Sequence, residues 1–387
     1  MNTKKINTKK LTLLQVLPHL NSGGLVSGAI EVAKEAKNVG WTSIVLSSGG
    51  NREHELIRAG CKLVFFSVDS KNIINIIKNK NKISNLIKEF NVDIIHARSR
   101  APAWSSYWAS KKMNIPFITT FHGTYGTENF IKKKYNKVML KGSKVIAISN
   151  FIKNHIDKEY NHKANVEVIP RGVDTKIFSP SSVTAARLVS LANKLGLQDF
   201  HKTILLPGRF AGWKGHILAI EALALLKDKK IKLILLGADK DKILYIKKLK
   251  KLALKLSVLD QIIFNDHSRD MPAYMMLSDL VLSCSTKPEA FGRVILEAQA
   301  MGRPIVAFDH GGAVELTKNN ENGTLVDVSN IEKLAESIKK NLELTALERN
   351  IISKRSIKNV EKKYLTKFMV NKTINLYKET LKQFYNI

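Results

Sequence analysis

The feature that most constrains this sequence is an alternation of short apolar runs with longer helix-like segments, which occurs twice along the chain. Strands that are apolar on both faces are typical of a parallel sheet with helices on both sides. The 387 residues are enough for two such cores and too many for one ordinary domain. We therefore predict two doubly wound α/β domains, with strands in the runs LTLLQVL, VDIIHAR, PFITTFH, TILLPGR, IKLILLGA and DLVLSCS.

A polar stretch that follows VEVIPRGVD separates the two halves and contains Pro180. We place the first domain at residues 1–172 and the second at 173–365. From Ser337 onward the chain lacks Gly and Pro and is rich in helix formers. We expect its last part, 366–387, to be a helix that crosses back to the first domain.

The strongest motif is KPEAFGRVILEAQAMG, which follows the run DLVLSCS and opens a predicted helix. Such a loop directs the free N–H groups of a helix N-terminus toward the carboxyl end of the sheet, where open α/β folds bind anions and nucleotides. Gly292 permits close approach of the backbone to a ligand. The carboxylates of Glu289 and Glu297 can accept hydrogen bonds from paired hydroxyls, which sugars and ribose present.

A second motif, PGRFAGWKG, directly follows the run TILL and precedes another predicted helix. Arg209 offers a planar fork of donors and Lys214 a point charge. Together they can hold a diphosphate and neutralise the charge that grows when the diphosphate departs.

These motifs resemble glycosyltransferase family four, also called glycosyl transferases group 1. Its marker is a pair of glutamates separated by seven residues in a loop that reads proline, glutamate, small residue, phenylalanine, glycine. The resemblance implies the GT-B fold, in which two Rossmann-like domains face each other across a cleft. It implies that the nucleotide sugar lies mainly on the second domain and that the acceptor enters from the first. The donor-binding residues implied there are Arg209, Lys214, Glu289, Phe291, Gly292, Arg293 and Glu297, with Glu289 on the sugar and Glu297 on the ribose.

In the first domain, the glycines of the run NSGG follow the first predicted strand. The resemblance implies that Gly23 and Gly24 let this loop approach the donor, although helix-start geometry alone also explains them. His122, at the end of PFITTFH, stands where the family often has a histidine that faces the donor sugar. A purely structural histidine is the alternative.

The run HARSRAPAW ends another strand of the first domain and looks like a feature of bacterial envelope-sugar and lipopolysaccharide transferases. The family commonly has a histidine at the position of His96. Arg98 and Arg100 can meet an anionic acceptor. The alternative is that both arginines stabilise the loop.

Similarity to this family implies transfer of a hexosyl group with retention of anomeric configuration. No carboxylate of the first domain stands out as the nucleophile of a double displacement, so a same-face substitution is favoured. We assign catalytic roles to Arg209, Lys214, Glu289 and His122. The triplet Asp239-Lys240-Asp241 imitates a metal–diphosphate motif of a different fold, but the two cations already supply positive charge. We expect no metal and no cofactor beyond the nucleotide-diphosphate sugar as co-substrate.

The formal net charge of +30 and the pI near 9.9 indicate an anionic partner. The alternative is a biased base composition of the genome, because Lys, Asn and Ile are all abundant. The leader KKINTKK imitates a signal peptide, but Gln15 and Pro18 interrupt the apolar run that follows it. No run approaches the ~18 apolar residues of a membrane span. We expect a cytoplasmic enzyme, peripheral on the inner face of the membrane, with a lipid-linked or envelope glycan as acceptor.

Three other functions fit part of the sequence. A nucleotide-sugar epimerase can share the fold but should lack the donor-sugar motif that contains Glu289. A nucleic-acid-binding protein would explain the charge, yet no helix-turn-helix, zinc-finger or RNA-binding signature occurs, so we expect no nucleic acid partner. An NAD-dependent dehydrogenase requires the dinucleotide fingerprint, which is missing.

Overall fold

The computed structural model describes residues 10–386 except Ser22, Thr127, Glu128, 162–164, Asp239, His267, Arg269 and Asn320. The leader therefore lies outside the described residues apart from Lys10, and so does the first aspartate of the Asp-x-Asp triplet. The chain divides into two compact units. The N-terminal unit contains the residues up to Arg171 and the segment from Thr366 onward, and the C-terminal unit is Gly172–Leu365.

The N-terminal unit is built on a seven-stranded sheet whose described strand pairs are all parallel. Its order is β3-β2-β1-β4-β5-β6-β7. The central strand β1 is buried along its whole length, as its apolar sequence predicts. The strands are β1 (Thr12–Val16), β2 (Thr42–Ser47), β3 (Lys62–Phe65), β4 (Ile94–Ala97), β5 (Phe117–Phe121), β6 (Lys144–Ala147) and β7 (Val166–Val168).

Helices cover both faces of this sheet. Asn72 caps α3 by accepting a hydrogen bond from the Ile74 amide at 2.9 Å, and Ser149 caps α6 in the same way. The described helices of the unit are α1 (Gly24–Asn38), α2 (Glu53–Arg58), α3 (Ile73–Glu89), α4 (Arg100–Met113), α5 (Phe130–Asn136), α6 (Asn150–Tyr160) and, from the end of the chain, α15 (Thr366–Tyr385).

The helix α15 completes the core of the N-terminal unit. Its Tyr377 is fully buried, and its ring centroid lies 6.3 Å from that of Trp41. Met369 and Leu381 of the same helix pack in one cluster with Leu11 and Leu13. The first strand and the last helix therefore share one hydrophobic core.

The C-terminal unit is built on a six-stranded parallel sheet in the order β10-β9-β8-β11-β12-β13. Its strands are β8 (Lys202–Pro207), β9 (Ile231–Ala238), β10 (Ile262–Asp266), β11 (Leu280–Ser283), β12 (Ile305–Phe308) and β13 (Thr324–Val326). Its described helices are α7 (Ala185–Lys194), α8 (His216–Leu226), α9 (Ile243–Lys255), α10 (Met271–Leu277), α11 (Arg293–Ala300), α12 (Ala313–Leu316), α13 (Ile331–Leu342) and α14 (Ala346–Lys363).

The prediction of two parallel-sheet α/β domains is confirmed. Each sheet has one position where its strand order reverses, between β1 and β4 in the first unit and between β8 and β11 in the second. Loops that leave neighbouring strands in opposite directions open a crevice at such a point, which is where open α/β sheets bind ligands. Among the described residues, no helix is long and apolar enough to cross a membrane.

Candidate functional site

The strand order of the C-terminal unit brings the two predicted motifs together. The loop Gly208–Gly215, which we call the lysine loop, follows β8. The loop Cys284–Gly292, which we call the glutamate loop, follows the neighbouring strand β11. The Thr286 amide donates a hydrogen bond to the Trp213 carbonyl at 2.7 Å, which ties the second loop to the first. Residues that are more than seventy positions apart in sequence therefore form one surface at the carboxyl end of the sheet.

An ion pair connects these loops directly. The Lys214 Nζ lies 2.7 Å from the Glu289 Oε1, and both side chains are largely buried. The Ser285 hydroxyl donates to the same carboxylate oxygen at 2.5 Å. The Lys214 Nζ also lies 4.5 Å from the centre of the Trp213 ring. These contacts hold the Lys214 cation and the Glu289 carboxylate beside each other.

Gly215 allows the lysine loop to pass so close to the second loop. It has a φ of 79°, and a Cβ on it would lie 2.0 Å from the Cys284 carbonyl oxygen. Only glycine fits both this backbone conformation and this distance.

Arg209 lies in the same loop and is exposed. Among the described residues it has no hydrogen-bond or ion-pair partner for its five N–H donors. The loop therefore offers one cation that is fixed by Glu289 and one that is not fixed.

The second glutamate, Glu297, lies in the helix α11 and is 9% exposed. Its Oε1 accepts a hydrogen bond from the Arg293 guanidinium at 2.7 Å. Burial raises the pKa of the Glu297 carboxyl, and the charge of Arg293 opposes that rise. Gly292, in a left-handed conformation, is the N-cap of this helix, while the Phe291 side chain is buried near Tyr364.

A third loop, which contains His310 and Gly312 and which sequence reasoning missed, packs against the glutamate loop. The His310 Nε2 donates to the Ser285 carbonyl at 2.6 Å, and the Gly312 amide donates to the Glu289 carbonyl at 2.8 Å. Both Gly311 and Gly312 lie so close to this backbone that any Cβ would collide with it. The sequence feature that could have revealed this loop is the pair of adjacent glycines shortly after the run PIVAFD.

In the N-terminal unit, His122 follows β5 and contacts Arg171. Sequence reasoning did not identify Arg171 as a residue of the site. The Arg171 Nη2 lies 2.5 Å from the His122 Nδ1. Because arginine can only donate, Nδ1 is the acceptor and the proton of the neutral ring is on Nε2. The Nε2 is buried and has no hydrogen-bond partner among the described residues. Burial, followed by the charge of Arg171, holds the pKa of His122 well below its usual value.

Gly23 and Gly24 begin the helix α1, and Gly23 is its N-cap with a φ of 109°. One turn later, Gly28 has a different role. A Cβ at this position would lie 1.9 Å from the Arg171 Nη1, so Gly28 provides the space in which the arginine reaches His122.

The structure favours structural roles for His96 and Arg98. His96 is fully buried, and its ring nitrogens lie 2.5 Å from the Tyr377 hydroxyl and 2.7 Å from the Thr120 hydroxyl. Arg98 is 2% exposed, and its Nε donates to the Gln15 Oε1 at 2.9 Å. A direct contact of either side chain with an acceptor would therefore require breaking these buried bonds.

Arg100 is half-buried at the start of α4. It donates to the Asn136 Oδ1 at 3.1 Å and lies 4.4 Å above the Tyr125 ring. It contacts the segment before α5 and the last residue of that helix, and its other donors have no partner among the described residues. Among the described residues, no group of three or more His, Cys, Asp or Glu side chains is arranged to hold a metal ion.

We expect that replacing Arg171 by methionine raises the pKa of His122, because the variant keeps the aliphatic stem but removes the neighbouring cation. The sign follows from the charge, since a cation disfavours protonation of the ring. Nitrogen-detected NMR of the histidines across pH would measure both the pKa and the tautomer. The wild type should show Nε2–H, and the variant a mixture. An Arg187→Met variant, whose arginine contacts Asp270, is the control for a general loss of stability. An unchanged His122 titration would mean that burial alone sets its protonation.

Two family models match this chain. Residues 22–177 match the model described as Glycosyltransferase Family 4, and residues 190–358 match the model described as Glycosyl transferases group 1. Together they cover most of both units.

Among solved structures, a glycosyltransferase from Rickettsia africae ESF-5 is 39% identical, with a TM-score of 0.90 over 96% of this chain and 99% of that one. Anabaena Alr3699/HepE, solved in complex with UDP and glucose, is 22% identical, with a TM-score of 0.83 over 95% and 99%. At that identity the likeness concerns the fold alone.

Among curated proteins, the alpha-monoglucosyldiacylglycerol synthase of Streptococcus pneumoniae is 27% identical over 248 residues. That match covers 60% of this chain and 54% of the relative. The chain thus spans about half the length of this curated relative.

Proposed function

Because this chain belongs to the family 4 and group 1 glycosyltransferases, with the GT-B fold, we propose that it transfers a hexosyl group from a nucleotide-diphosphate sugar with retention of configuration. The observation that carries this proposal is the ion pair between Lys214 and Glu289 at the strand-order reversal. It supplies a cation for a diphosphate and a carboxylate for sugar hydroxyls on adjacent loops.

In the proposed donor complex, Arg209 and Lys214 bind the diphosphate, and Glu289 accepts hydrogen bonds from the sugar. Glu297 accepts hydrogen bonds from the ribose, and the backbone at Phe291, Gly292 and Arg293 binds sugar hydroxyls and phosphate. The eight-residue helix α11 supports this assignment, because its first N–H groups have no acceptor within the helix.

The proposed reaction is a same-face substitution. The bond between the anomeric carbon and the phosphate oxygen breaks, and the acceptor oxygen forms its bond to that carbon on the same face. The departing phosphate oxygen takes the proton of the acceptor hydroxyl. Arg209 and Lys214 stabilise the negative charge that develops on the leaving diphosphate, so catalysis consists mainly of positioning and electrostatics.

His122 has a defined part in this proposal. Its Nε2–H is a donor that Arg171 fixes through Nδ1. A neutral ring with a fixed donor can hold a hydroxyl oxygen of the transferred sugar without adding a full charge beside the reacting carbon. Gly23 and Gly24 let the loop after β1 approach the same ligand.

The proposed acceptor is a lipid-linked or cell-envelope glycan, and the enzyme contacts an anionic membrane from the cytoplasmic side. The name of the Streptococcus pneumoniae relative, a diacylglycerol glycoside synthase, supports a lipid acceptor. The formal charge of +30 supports the contact with an anionic surface. Arg100 has donors without a partner in the described part of the chain, so it is the best candidate of the HARSRAPAW run for an anionic acceptor.

The test is thermal-shift binding of UDP-, GDP- and ADP-sugars to the wild type and to Glu297→Ala. A ligand that binds only the folded state raises the melting temperature. We expect one nucleotide class to stabilise the wild type by several degrees and the variant much less, because the variant lacks the ribose carboxylate. Glu343→Ala, on the surface after α13, is the matched control. If no sugar nucleotide shifts the wild type, the proposed donor site is wrong.

A further inference from the structure

Three helices of the N-terminal unit enclose an apolar groove that the proposed reaction does not use. The groove holds about 290 Å³, and we call it the tryptophan groove. Its lining consists of Ile73 and Ile76 of α3, Trp104 and Trp108 of α4, and Ile131 and Tyr135 of α5, with Lys71 and Lys134.

A hydrogen bond and a ring contact connect the aromatic residues of this groove. The Trp104 Nε1 donates to the Tyr135 carbonyl at 3.1 Å, and the ring centroids of Trp104 and Trp108 lie 5.4 Å apart. Because a backbone carbonyl already satisfies the indole N–H, the ring of Trp104 can present its apolar faces to the groove.

Unusually exposed apolar side chains surround the groove. Phe130 is 79% exposed and Ile131 is 75% exposed at the start of α5. At the start of α3, Ile73, Ile74 and Ile77 are between 47% and 59% exposed. Single exposed apolar residues are common, but a cluster around an apolar groove indicates an interaction surface.

The described residues that line and flank this groove carry mainly positive charge. From Lys71 to Lys88 the chain has five lysines and no acidic residue, and α5 contains the consecutive lysines 132–134. The helix α4 also lacks acidic residues. Lys71, Lys132 and Lys134 are exposed. A partner must therefore accept apolar side chains and carry negative charge beside them.

We propose that the tryptophan groove and the apolar starts of α3 and α5 dock on an anionic phospholipid membrane. Phe130, Ile131, Ile73 and Ile74 enter the interface, and the lysines contact the phosphates. Trp104 and Trp108 lie at headgroup depth, where aromatic rings are favoured. This proposal rests on the proposed function, because a lipid-linked acceptor is the reason for the enzyme to bind a membrane.

Other partners fit this surface less well. Protein interfaces are depleted in lysine at their centres, whereas lysine beside bulky apolar groups is typical of membrane-surface helices. Single-stranded nucleic acid is bound by aromatic stacking platforms. Of the five exposed apolar side chains named above, four are isoleucines, which offer no ring on which a base can stack.

The first test is sedimentation with vesicles of phosphatidylcholine alone or with 30% phosphatidylglycerol, at 0.15 M salt. We expect binding to the anionic vesicles and a loss of roughly tenfold or more in partitioning for Phe130→Glu/Ile131→Glu. The matched control is Ile243→Glu/Leu244→Glu, since these residues are 56% and 82% exposed at the start of α9, which is also rich in lysine. No binding by the wild type, or a loss only in the control, would overturn the proposal, and so would binding of RNA in place of vesicles.

A second test locates the tryptophans. Phospholipids brominated near the headgroup should quench the emission of the wild type, and Trp104→Phe/Trp108→Phe should lose most of this quenching while it still binds vesicles. The remaining tryptophans, Trp41 and Trp213, lie in the core and in the lysine loop. Quenching that survives in the variant would place the membrane contact elsewhere and overturn the proposal.

The two proposals fail separately. Phe130→Glu/Ile131→Glu should retain the donor-induced melting shift, because neither residue belongs to the donor loops. If the shift is present and vesicle binding is absent, the docking proposal is wrong and the donor site stands. If vesicle binding is present without any donor-induced shift, the docking surface stands and the transfer proposal is wrong.

Discussion

Replacing Lys214 by methionine is expected to lower kcat by about a hundred- to a thousand-fold, the usual effect of removing one group that stabilises transition-state charge. Methionine keeps most of the side-chain volume but removes the cation that faces the leaving diphosphate in our proposal. The measurement is steady-state release of the nucleoside diphosphate, with donor and acceptor varied separately. A fall in kcat that exceeds the change in KM would indicate an interaction made mainly in the transition state.

The control for this variant is Lys287→Met, because Lys287 is an exposed lysine in the glutamate loop and makes no ion pair among the described residues. Its kcat should remain within about threefold of the wild type, as is usual for a surface substitution. Lys214→Met/Glu289→Gln tests the ion pair itself. Since the two side chains are in contact, their effects should be strongly non-additive. Independent effects, or a kcat for Lys214→Met close to the wild type, would contradict the assigned role.

Gly312→Ala is expected to reduce the free energy of unfolding by about 1–3 kcal/mol, as for overpacking of a tight interior. The new methyl group would lie 2.3 Å from the Phe291 carbonyl oxygen and 2.5 Å from the Phe291 Cα. Because backbone atoms cannot move aside individually, the loop that carries Glu289 must shift. We therefore also expect a rise in the KM for the donor, even though residue 312 makes no proposed contact with it.

Chemical denaturation and donor kinetics would measure both effects of this substitution. Gly212→Ala is the control for stability, because a Cβ at that position would meet no atom within 4 Å. It should unfold at nearly the same denaturant concentration as the wild type. If Gly312→Ala matched the wild type in stability and in donor KM, the contact between the two loops would have no role in forming the site.

The sequence predicted the two sheets because their strands are apolar on both faces, a property visible in each run by itself. It also predicted that Arg209, Lys214 and Glu289 lie in loops that follow strands and that Glu297 lies in the helix after the second loop. It did not predict that Lys214 and Glu289 are paired. That contact depends on the adjacency of β8 and β11, which are not consecutive in sequence.

Contacts between residues far apart in sequence also explain why the contact partners of His122 and His96 were not predicted. Arg171 contacts His122 across 49 positions and requires a glycine at position 28 to make room for it. His96 resembles a ligand-binding histidine in sequence, yet its partner Tyr377 lies 281 residues away. Neither the partner nor the burial of such a histidine can be inferred from its local sequence, because both arise from the packing of distant elements.

The sharing of one core by β1 and α15 has a consequence for the order in which the protein acquires its structure. A ribosome synthesises residues 10–171 before the C-terminal unit, but the N-terminal unit lacks Met369, Tyr377 and Leu381 until residues 366–387 emerge. The C-terminal unit is continuous in sequence, and its described core cluster, from Ile204 to Leu342, is synthesised before residue 366. Domains generally fold as units once their residues are available. The C-terminal unit, although it is synthesised second, can therefore fold first. The N-terminal unit can complete its hydrophobic core only after α15 has been synthesised.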